Sequence, residues 1–487
     1  MKKYLLFALV AFLAVISASA QMRIRMGKNS PIEKLGRAEI AIANLYVDSV
    51  DENKLVEDAI RGMLEKLDPH SSYTTAKETQ AMNESLNGSF DGIGVQFNMV
   101  DDSLLVIQPV VNGPSEKVGI IAGDRIVAVN DTAIAGVKMS KEEIMKRLRG
   151  PKGTIVNLTV VRRGIKDKLS FRVKRDKIPV TTMDAAYMIR PGIGYIRLGS
   201  FGMTSHKEVS VAMDSLKKKG MKDLIFDLQD NGGGYLQTAA KIANEFSASA
   251  AEIVSGAIQD QDRGVVVGRR TFGKGLVQRP LTFEDGSEIR LTIAHYYTPS
   301  GRCIQKPYKK GEREDYAMDL DNRYKHGEFT NQDSIHLSDS LKYYTLRKHR
   351  VVYGGGGIMP DYFVPLDTTK YTKMHRLLTA KSIVINHSLK FIDAHRQELK
   401  SQYKDFGKFL ASYEVPQSLV EEIIADGKKE KIEPRDAAEL AQTKKYLSIQ
   451  LKALVARDIW DMSQYFQVWN ETNEIVMRAV QLLTTGK

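Results

Sequence analysis

One cysteine, Cys303, stands in a chain of 487 residues, so no disulfide can form within it. Tryptophan is nearly as scarce, with only Trp460 and Trp469, both near the C-terminal end. Past the N-terminus no apolar run approaches the ~18 residues a membrane helix needs, which excludes a multi-span membrane protein. No Gly-x-Ser-x-Gly elbow and no His-Glu-x-x-His pair occurs, so two common hydrolytic signatures are missing. Glycine and proline, at 37 and 14, are too few for a collagen-like or low-complexity chain. What remains is an ordinary globular composition, 43% hydrophobic and 27% charged, and a length that calls for several modules. Lys and Arg outnumber Asp and Glu by 71 to 59, a formal +12. That surplus is spread thinly and forms no basic cluster, so nucleic acid is not an expected partner.

The first twenty residues set the compartment. Met1-Lys2-Lys3 is a short positive start, Tyr4 to Ile16 is an uncharged apolar run, and Ala18-Ser19-Ala20 places small residues at −3 and −1. This is the three-part anatomy of a secretory signal peptide, with cleavage expected before Gln21. The expected product is exported, periplasmic in a two-membrane cell, and soluble. Membrane contact would come only through an uncleaved signal segment.

Periodicity divides the rest. Residues 21–87 read as a helical N-terminal arm, with stripes at Leu35, Ala38, Ile42, Leu45 and Tyr46 and at Leu55, Ala59, Ile60, Met63 and Leu67, ended by Asp68-Pro69. Residues 88–176 alternate glycine turns with short β-rich runs and hold one helix, Ser140 to Leu148, opened by a capping box. That pattern predicts a small barrel-like β module. Residues 177–366 read as an α/β region with strands at Gly194 to Leu198 and Leu224 to Leu228. Between these strands lies a helix opened by a Ser205–Glu208 capping box and closed at Gly220. Further on come a helix from about Tyr235 to Phe246, a strand at Gly264 to Val267, and a hairpin around Asp285-Gly286. Residues 367–487 are amphipathic helices, suited to bracing a core or building an interface.

The β module resembles a PDZ domain. The resemblance rests on Gly92-Ile93-Gly94-Val95, on Gly113-Pro114-Ser115-Glu116-Lys117-Val118-Gly119, and on the run Ala122 to Asn130. In such a module glycine-rich backbone amides hold a terminal carboxylate while the peptide adds as a strand at the sheet edge. Gly92, Ile93, Gly94 and Val95 are the expected peptide-binding residues, with Ile144 and Leu148 completing a side-chain pocket.

Two motifs compete for the chemistry. Gly268 to Lys274 has the glycines and lysine of a phosphate-binding loop. Gly275 stands where that loop needs Ser or Thr, however, and the next run contains Pro280 instead of opening a helix. Nucleotide is therefore not an expected partner. The other reading joins Ser247-Ala248-Ser249-Ala250-Ala251-Glu252-Ile253 to Thr271-Phe272-Gly273-Lys274-Gly275 and Gln278. With Asp68-Pro69-His70-Ser71-Ser72-Tyr73, Asp230-Asn231-Gly232-Gly233-Gly234, Tyr297 to Arg302 and Gly357 to Asp361 in the same order, the chain resembles the C-terminal processing peptidases, or tail-specific proteases, over roughly residues 35–365.

The resemblance implies a mixed α/β serine-protease core with a PDZ domain and helical N- and C-terminal regions, hence an α/β multidomain chain. It implies Ser249 as nucleophile, Lys274 as general base and Gln278 as the group orienting the lysine. Backbone N–H groups of Ala250 and Gly233 would form the oxyanion hole, with Asp260 in support. A lysine can take the serine proton only when neutral, so its amine must be desolvated; the apolar neighbours Phe272 and Leu276 are candidates for that. No cofactor and no metal site is expected. Substrates would be proteins or peptides with exposed C-termini, and the helical arms are compatible with a homodimer. His70 and His295 read as structural or surface residues, and Cys303 as a buried free thiol.

One departure stands out. The resemblance expects a strand to end at the nucleophile, but Phe246 closes a helix and Ser247 follows at once. A parallel crossover needs a dozen or more residues and then a strand. Relative to that pattern the core lacks the strand before the nucleophile, which leaves three explanations: a deleted, inactive copy, a defect in the sequence, or a rearranged core in which another strand substitutes. The second expectation follows from this: an inactive, PDZ-bearing peptide-binding protein derived from such a protease by loss of a core segment.

Overall fold

A computed structural model describes residues 30–235, 237–239, 241–242 and 251–486. The signal segment, Ser249 and Ala250 lie outside the described residues, as does most of the helix expected up to Phe246; residues 237–239 and 241–242 are helical. Among the described residues, no helix is long and apolar enough to cross a membrane.

The chain begins with two helices, Pro31–Leu45 and Glu52–Glu65, capped by Ser30 and Asp51 side chains. The first buries none of its residues. A third helix, Ala76–Leu86, follows a short strand, Ser72–Thr74, that the helical reading of this region did not foresee. That strand joins the antiparallel hairpin of Leu276–Thr282 and Glu288–His295 as an outer third strand, beside Glu288–His295. The hairpin is the one read from Asp285-Gly286, and Gly286 takes φ +84 at its tip, where glycine meets no Cβ penalty.

In the β module, the strands Val95–Val100, Ser103–Pro109, Arg125–Val129, Ile155–Val161 and Leu169–Lys174 lie side by side in that order, and Thr132–Ala133 pairs with the third. The sheet is open, not barrel-like: Val95–Val100 and Leu169–Lys174 are its edges. Leu104, Val106, Ile126, Ile144, Val156, Leu158, Val160 and Val173 fill one contiguous core, each worth about 1.5–3 kcal/mol of burial. Ser89–Gly92 pairs with Asp176–Pro179 where the chain enters and leaves the module.

The α/β region holds a three-stranded sheet of Met183–Arg190, Ile193–Leu198 and Asp223–Asp227, the first pair antiparallel and the second parallel. Every residue of the central strand is buried, Arg197 included, because the sheet is covered on both faces. The crossover helix, Ser205–Lys218, packs Val209, Ala212 and Leu216 inward. Its expected capping box is absent. Ser205 is the first helical residue and bonds the Thr182 hydroxyl at 2.6 Å, while Glu208 accepts from the backbone N–H groups of Thr182 and Met183 at 2.9 and 3.0 Å. Tertiary partners outcompete the local cap here. They tie the helix to the strand that the sequence had not revealed.

The C-terminal helices form two clusters of their own, and the last of them return to the core sheet. Phe466, Val476 and Val480 pack with Tyr187 and Tyr195, and the Asn470 amide donates to the Tyr187 hydroxyl at 2.9 Å. The tryptophans are packing residues: Trp460 lies against Phe406 and Phe409, and Trp469 stacks on Tyr371 and Tyr465. Cys303 is half-buried, not fully enclosed as expected, because it sits where the chain bridges to Tyr297.

Candidate active site

The helix Ala251–Asp260 begins directly after the Ser-Ala repeat, and its first turn carries Glu252. The Glu252 carboxylate accepts from the Gly273 N–H at 2.7 Å, the Lys274 N–H at 2.8 Å and the Thr271 hydroxyl. One side chain thus fastens the lysine loop to the helix that follows Ser249. Glu252 lies within the Ser-Ala motif, whose residue types alone assign it no role. Its signal was an acidic residue in a first helical turn, which usually means only a favourable helix dipole.

The loop is fixed from its other side as well. The Thr271 N–H donates to the Ile358 carbonyl at 3.1 Å, and the Thr271 hydroxyl accepts from the Ile358 N–H at 2.7 Å. The Gly273 carbonyl accepts from the Lys306 N–H at 2.9 Å, and the Gly275 N–H donates to the Gln305 side chain at 2.8 Å. Gly273 takes φ +92, and a Cβ there would come within 3.0 Å of the Gly357 nitrogen.

The Lys274 amine donates to the Gln278 Oε1 at 3.4 Å. Desolvation first, and the charge of Arg290 second, hold this amine below the ordinary lysine range; Asp68 and Glu252 pull the other way. The side chain still presents exposed surface, so the desolvation comes from the protein mass around the amine and not from full enclosure. Phe272 is committed elsewhere: the Lys306 amine sits 3.8 Å from its ring centroid and 3.9 Å from that of Tyr316.

Gln278 has a second partner, donating from Nε2 to the His70 carbonyl at 2.5 Å. The imidazole of His70 bonds the Tyr316 hydroxyl at 2.8 Å, and burial together with the Lys274 charge lowers its pKa to about 4. His70 is structural in its ring, as read, but its carbonyl belongs to the site. His295 is exposed.

Asp260 lies at the other end of the helix Ala251–Asp260. It pairs with Arg302 at 2.7 Å, with both side chains fully buried, and accepts from the Ser300 N–H at 3.0 Å. It locks the Thr298 to Arg302 turn to the helix and is not among the groups bonded to Lys274. Gly233 takes φ +87, and its N–H donates to the Asn231 Oδ1 at 2.8 Å while its carbonyl accepts from Phe201. In this state the amide expected to face an oxyanion is already used.

In the β module Gly92 ends one strand, Val95 opens the next, and Gly94 turns between them at φ +72. Ile93, Ile144 and Leu148 are almost wholly buried and pack in the module's core. The sheet edge at Val95–Val100 has no neighbouring strand among the described residues.

Comparison with known proteins gives this geometry its family. The model of peptidase family S41 matches residues 192–247 and 240–317, and a PDZ domain model matches 92–177. The N-terminal domain of the activating protease CtpB matches 13–79, and a family of unknown function matches 374–461. The carboxy-terminal processing protease CtpA of Bacillus subtilis is 33% identical over 369 residues, covering 66% of this chain and 78% of the relative. The chain belongs to the S41 carboxy-terminal processing proteases. CtpB of the same organism is 33% identical over 335 residues, covering 60% of this chain and 69% of the relative. The carboxy-terminal-processing protease of Bartonella bacilliformis is 31% identical over 341 residues, covering 61% and 78%. Among solved structures, the photosystem II D1 C-terminal processing protease matches at 22% identity with a TM-score of 0.29, covering 71% of this chain and 88% of its own. This S41 chain is therefore a serine-protease relative carrying a PDZ domain, as its motifs implied.

Proposed function

We propose that this chain is an exported serine endopeptidase that selects substrates by their C-termini through the PDZ domain and cleaves them with Ser249, Lys274 and Gln278. The observation that carries the reading is the Lys274 amine. It is held below the ordinary lysine range, faces a neutral amide, and rides on a loop fastened by Glu252 to the helix that starts two residues after Ser249. A neutral amine can accept the Ser249 proton as its oxygen attacks the peptide carbonyl. The resulting ammonium returns that proton to the leaving amine, and water then hydrolyses the acyl-enzyme. The N–H groups of Ala250 and Gly233 are the proposed oxyanion donors, with Gly233 giving up its bond to Asn231 as substrate enters. A tail peptide would add along Val95–Val100 with its carboxylate at Gly92 to Val95.

A second reading, an inactive peptide-binding derivative, is favoured by one specific observation. The S41 model matches in two overlapping stretches that meet at residues 240–247. The CtpA alignment also runs over 369 residues yet occupies only 66% of a 487-residue chain. Both observations support a core segment of the relatives that has no counterpart in this chain.

A gel assay on an unfolded protein with an apolar C-terminus separates the two readings. Cleavage that Ser249→Ala abolishes supports the protease. Equal inertness of wild type and Ser249→Ala, with tail-peptide binding retained by both, supports the binding protein.

We also infer that the N-terminal arm pairs with a second copy of the chain. Leu35, Ile42 and Leu45 are exposed on a helix that buries nothing of its own, and so is Tyr46 at its C-cap. Sedimentation of Leu35→Lys/Ile42→Lys against wild type checks this: the variant is expected as a monomer, and an unchanged dimer would reject the arm as its interface.

A further inference from the structure

Gln278 can serve a lysine base only in one of its two amide orientations. With Oε1 toward the amine it accepts a hydrogen bond; turned over, it presents an NH₂ group to the donor it should steady. The strand itself does not choose between them, because a glutamine side chain rotates freely at its end. The choice is made by the His70 carbonyl, which takes the Nε2 donor and leaves Oε1 facing Lys274.

That carbonyl is held with unusual redundancy. The Asp68 carboxylate, buried, accepts from the N–H of His70 at 2.9 Å, the N–H of Ser71 at 3.0 Å, the Ser71 hydroxyl at 2.5 Å and the Thr292 hydroxyl at 2.9 Å. Thr292 is the residue directly across the hairpin from Gln278. One carboxylate thereby shapes the turn and registers it over the glutamine. From outside, Arg313 donates to the carbonyls of Leu64, Asp68 and Ser71 at 3.0, 3.3 and 2.7 Å.

We propose that Asp68 is a positioning residue for the reaction: through the turn at residues 68–71 it sets the His70 carbonyl that locks the Gln278 amide with its oxygen toward Lys274. The N-terminal arm thereby completes the site from outside the catalytic core. This rests on the reading of Lys274 as the base.

The test uses the full chain and two readouts. In kinetics on an unfolded protein substrate, Asp68→Asn is expected to lower kcat about tenfold with KM unchanged, and to add nothing further in a Gln278→Ala background. Full additivity of the two substitutions would overturn the proposal, since residues acting as one unit are not additive. In NMR of glutamine-¹⁵N-labelled protein, the Gln278 side-chain NH₂, assigned by its loss in Gln278→Ala, is expected to be protected from solvent exchange in wild type and unprotected in Asp68→Asn. Unchanged protection would overturn the proposal even if activity fell. Ser71→Ala serves as the second variant should Asp68→Asn fail to fold, and predicts the same loss of protection. If Lys274→Ala cleaves like wild type, the reading of the base fails, and if wild type does not cleave, the protease reading fails. In both cases the exchange measurement still decides whether Asp68 holds the amide.

Discussion

At the scale of the residue, the chemistry depends on keeping one amine uncharged. Lys274 is opposed by desolvation and by Arg290, and supported in its charged form by Asp68 and Glu252. Because only the neutral amine can accept a proton, the rate should rise with pH through the Lys274 pKa and level off above it. Arg290 is salt-bridged to Glu288 at 2.7 Å, but its positive charge still penalises protonation of Lys274. Arg290→Gln removes that penalty, so the Lys274 pKa goes up and the acid limb of kcat/KM against pH moves to higher pH. A profile that stays in place would mean that burial alone sets the amine.

At the scale of the element, the helix Ala251–Asp260 is a strut with a functional bond at each end. Glu252 holds the lysine loop, and Asp260 holds Arg302. Removing one partner of a fully buried pair strands a charge, so Asp260→Ala should cost about 3–5 kcal/mol, read as a lowered denaturant midpoint. Replacing Asp260 and Arg302 together by apolar residues of similar volume should cost far less, because neither charge is then left behind. These tertiary bonds also explain what could be read in the sequence. The hairpin around Asp285-Gly286, the central strand Ile193–Leu198 and the crossover helix were legible because their signals are local: a turn dipeptide, a short β-rich run, a 3.6-residue stripe. The strand Ser72–Thr74 was not, since it is defined by a partner more than two hundred residues away in the chain, and neither was Met183–Arg190, although it pairs with the strand directly after it. Glu208 shows the same limit, having left a plausible cap for a contact with Thr182. At the site, Lys274 and Gln278 were paired by the resemblance of their motif to the family's, although Lys274 lies in the loop ahead of the strand Leu276–Thr282 that carries Gln278. The His70 carbonyl could not be paired with them, because a backbone acceptor carries no side-chain signature.

At the scale of the whole molecule, the PDZ domain has a core of its own but is docked on the C-terminal region. Leu389, from the helix Ile383–Gln402, packs against Val100 and Leu105, and it is 1% exposed. Around it Arg125 pairs with Asp393 at 3.2 Å, Lys390 pairs with Asp101 at 2.8 Å, and Arg163 donates to the Asp393 carbonyl at 2.8 Å. The apolar contact should dominate. A fully buried leucine contributes about 1.5–3 kcal/mol, whereas ion pairs with water access contribute about 0–1 kcal/mol each. Arg125→Ala should therefore leave the domain in place, while Leu389→Asp should release it to move about the Ser89–Gly92 and Asp176–Pro179 strands that connect it. Small-angle scattering would read the release as a larger radius of gyration in Leu389→Asp alone. The core of Leu104, Ile126, Ile144 and Val160 does not include Leu389, so the released domain should stay folded and bind a tail peptide within about threefold of wild type. The Val95–Val100 edge, however, ends at Val100, the residue Leu389 covers. A peptide whose carboxylate sits at Gly92 to Val95 must run antiparallel to that strand, so its residues about five positions back reach the helix. Short tail peptides should then bind wild type and Leu389→Asp alike, and only longer ones should distinguish them. Equal affinities for long peptides would place the helix clear of the groove.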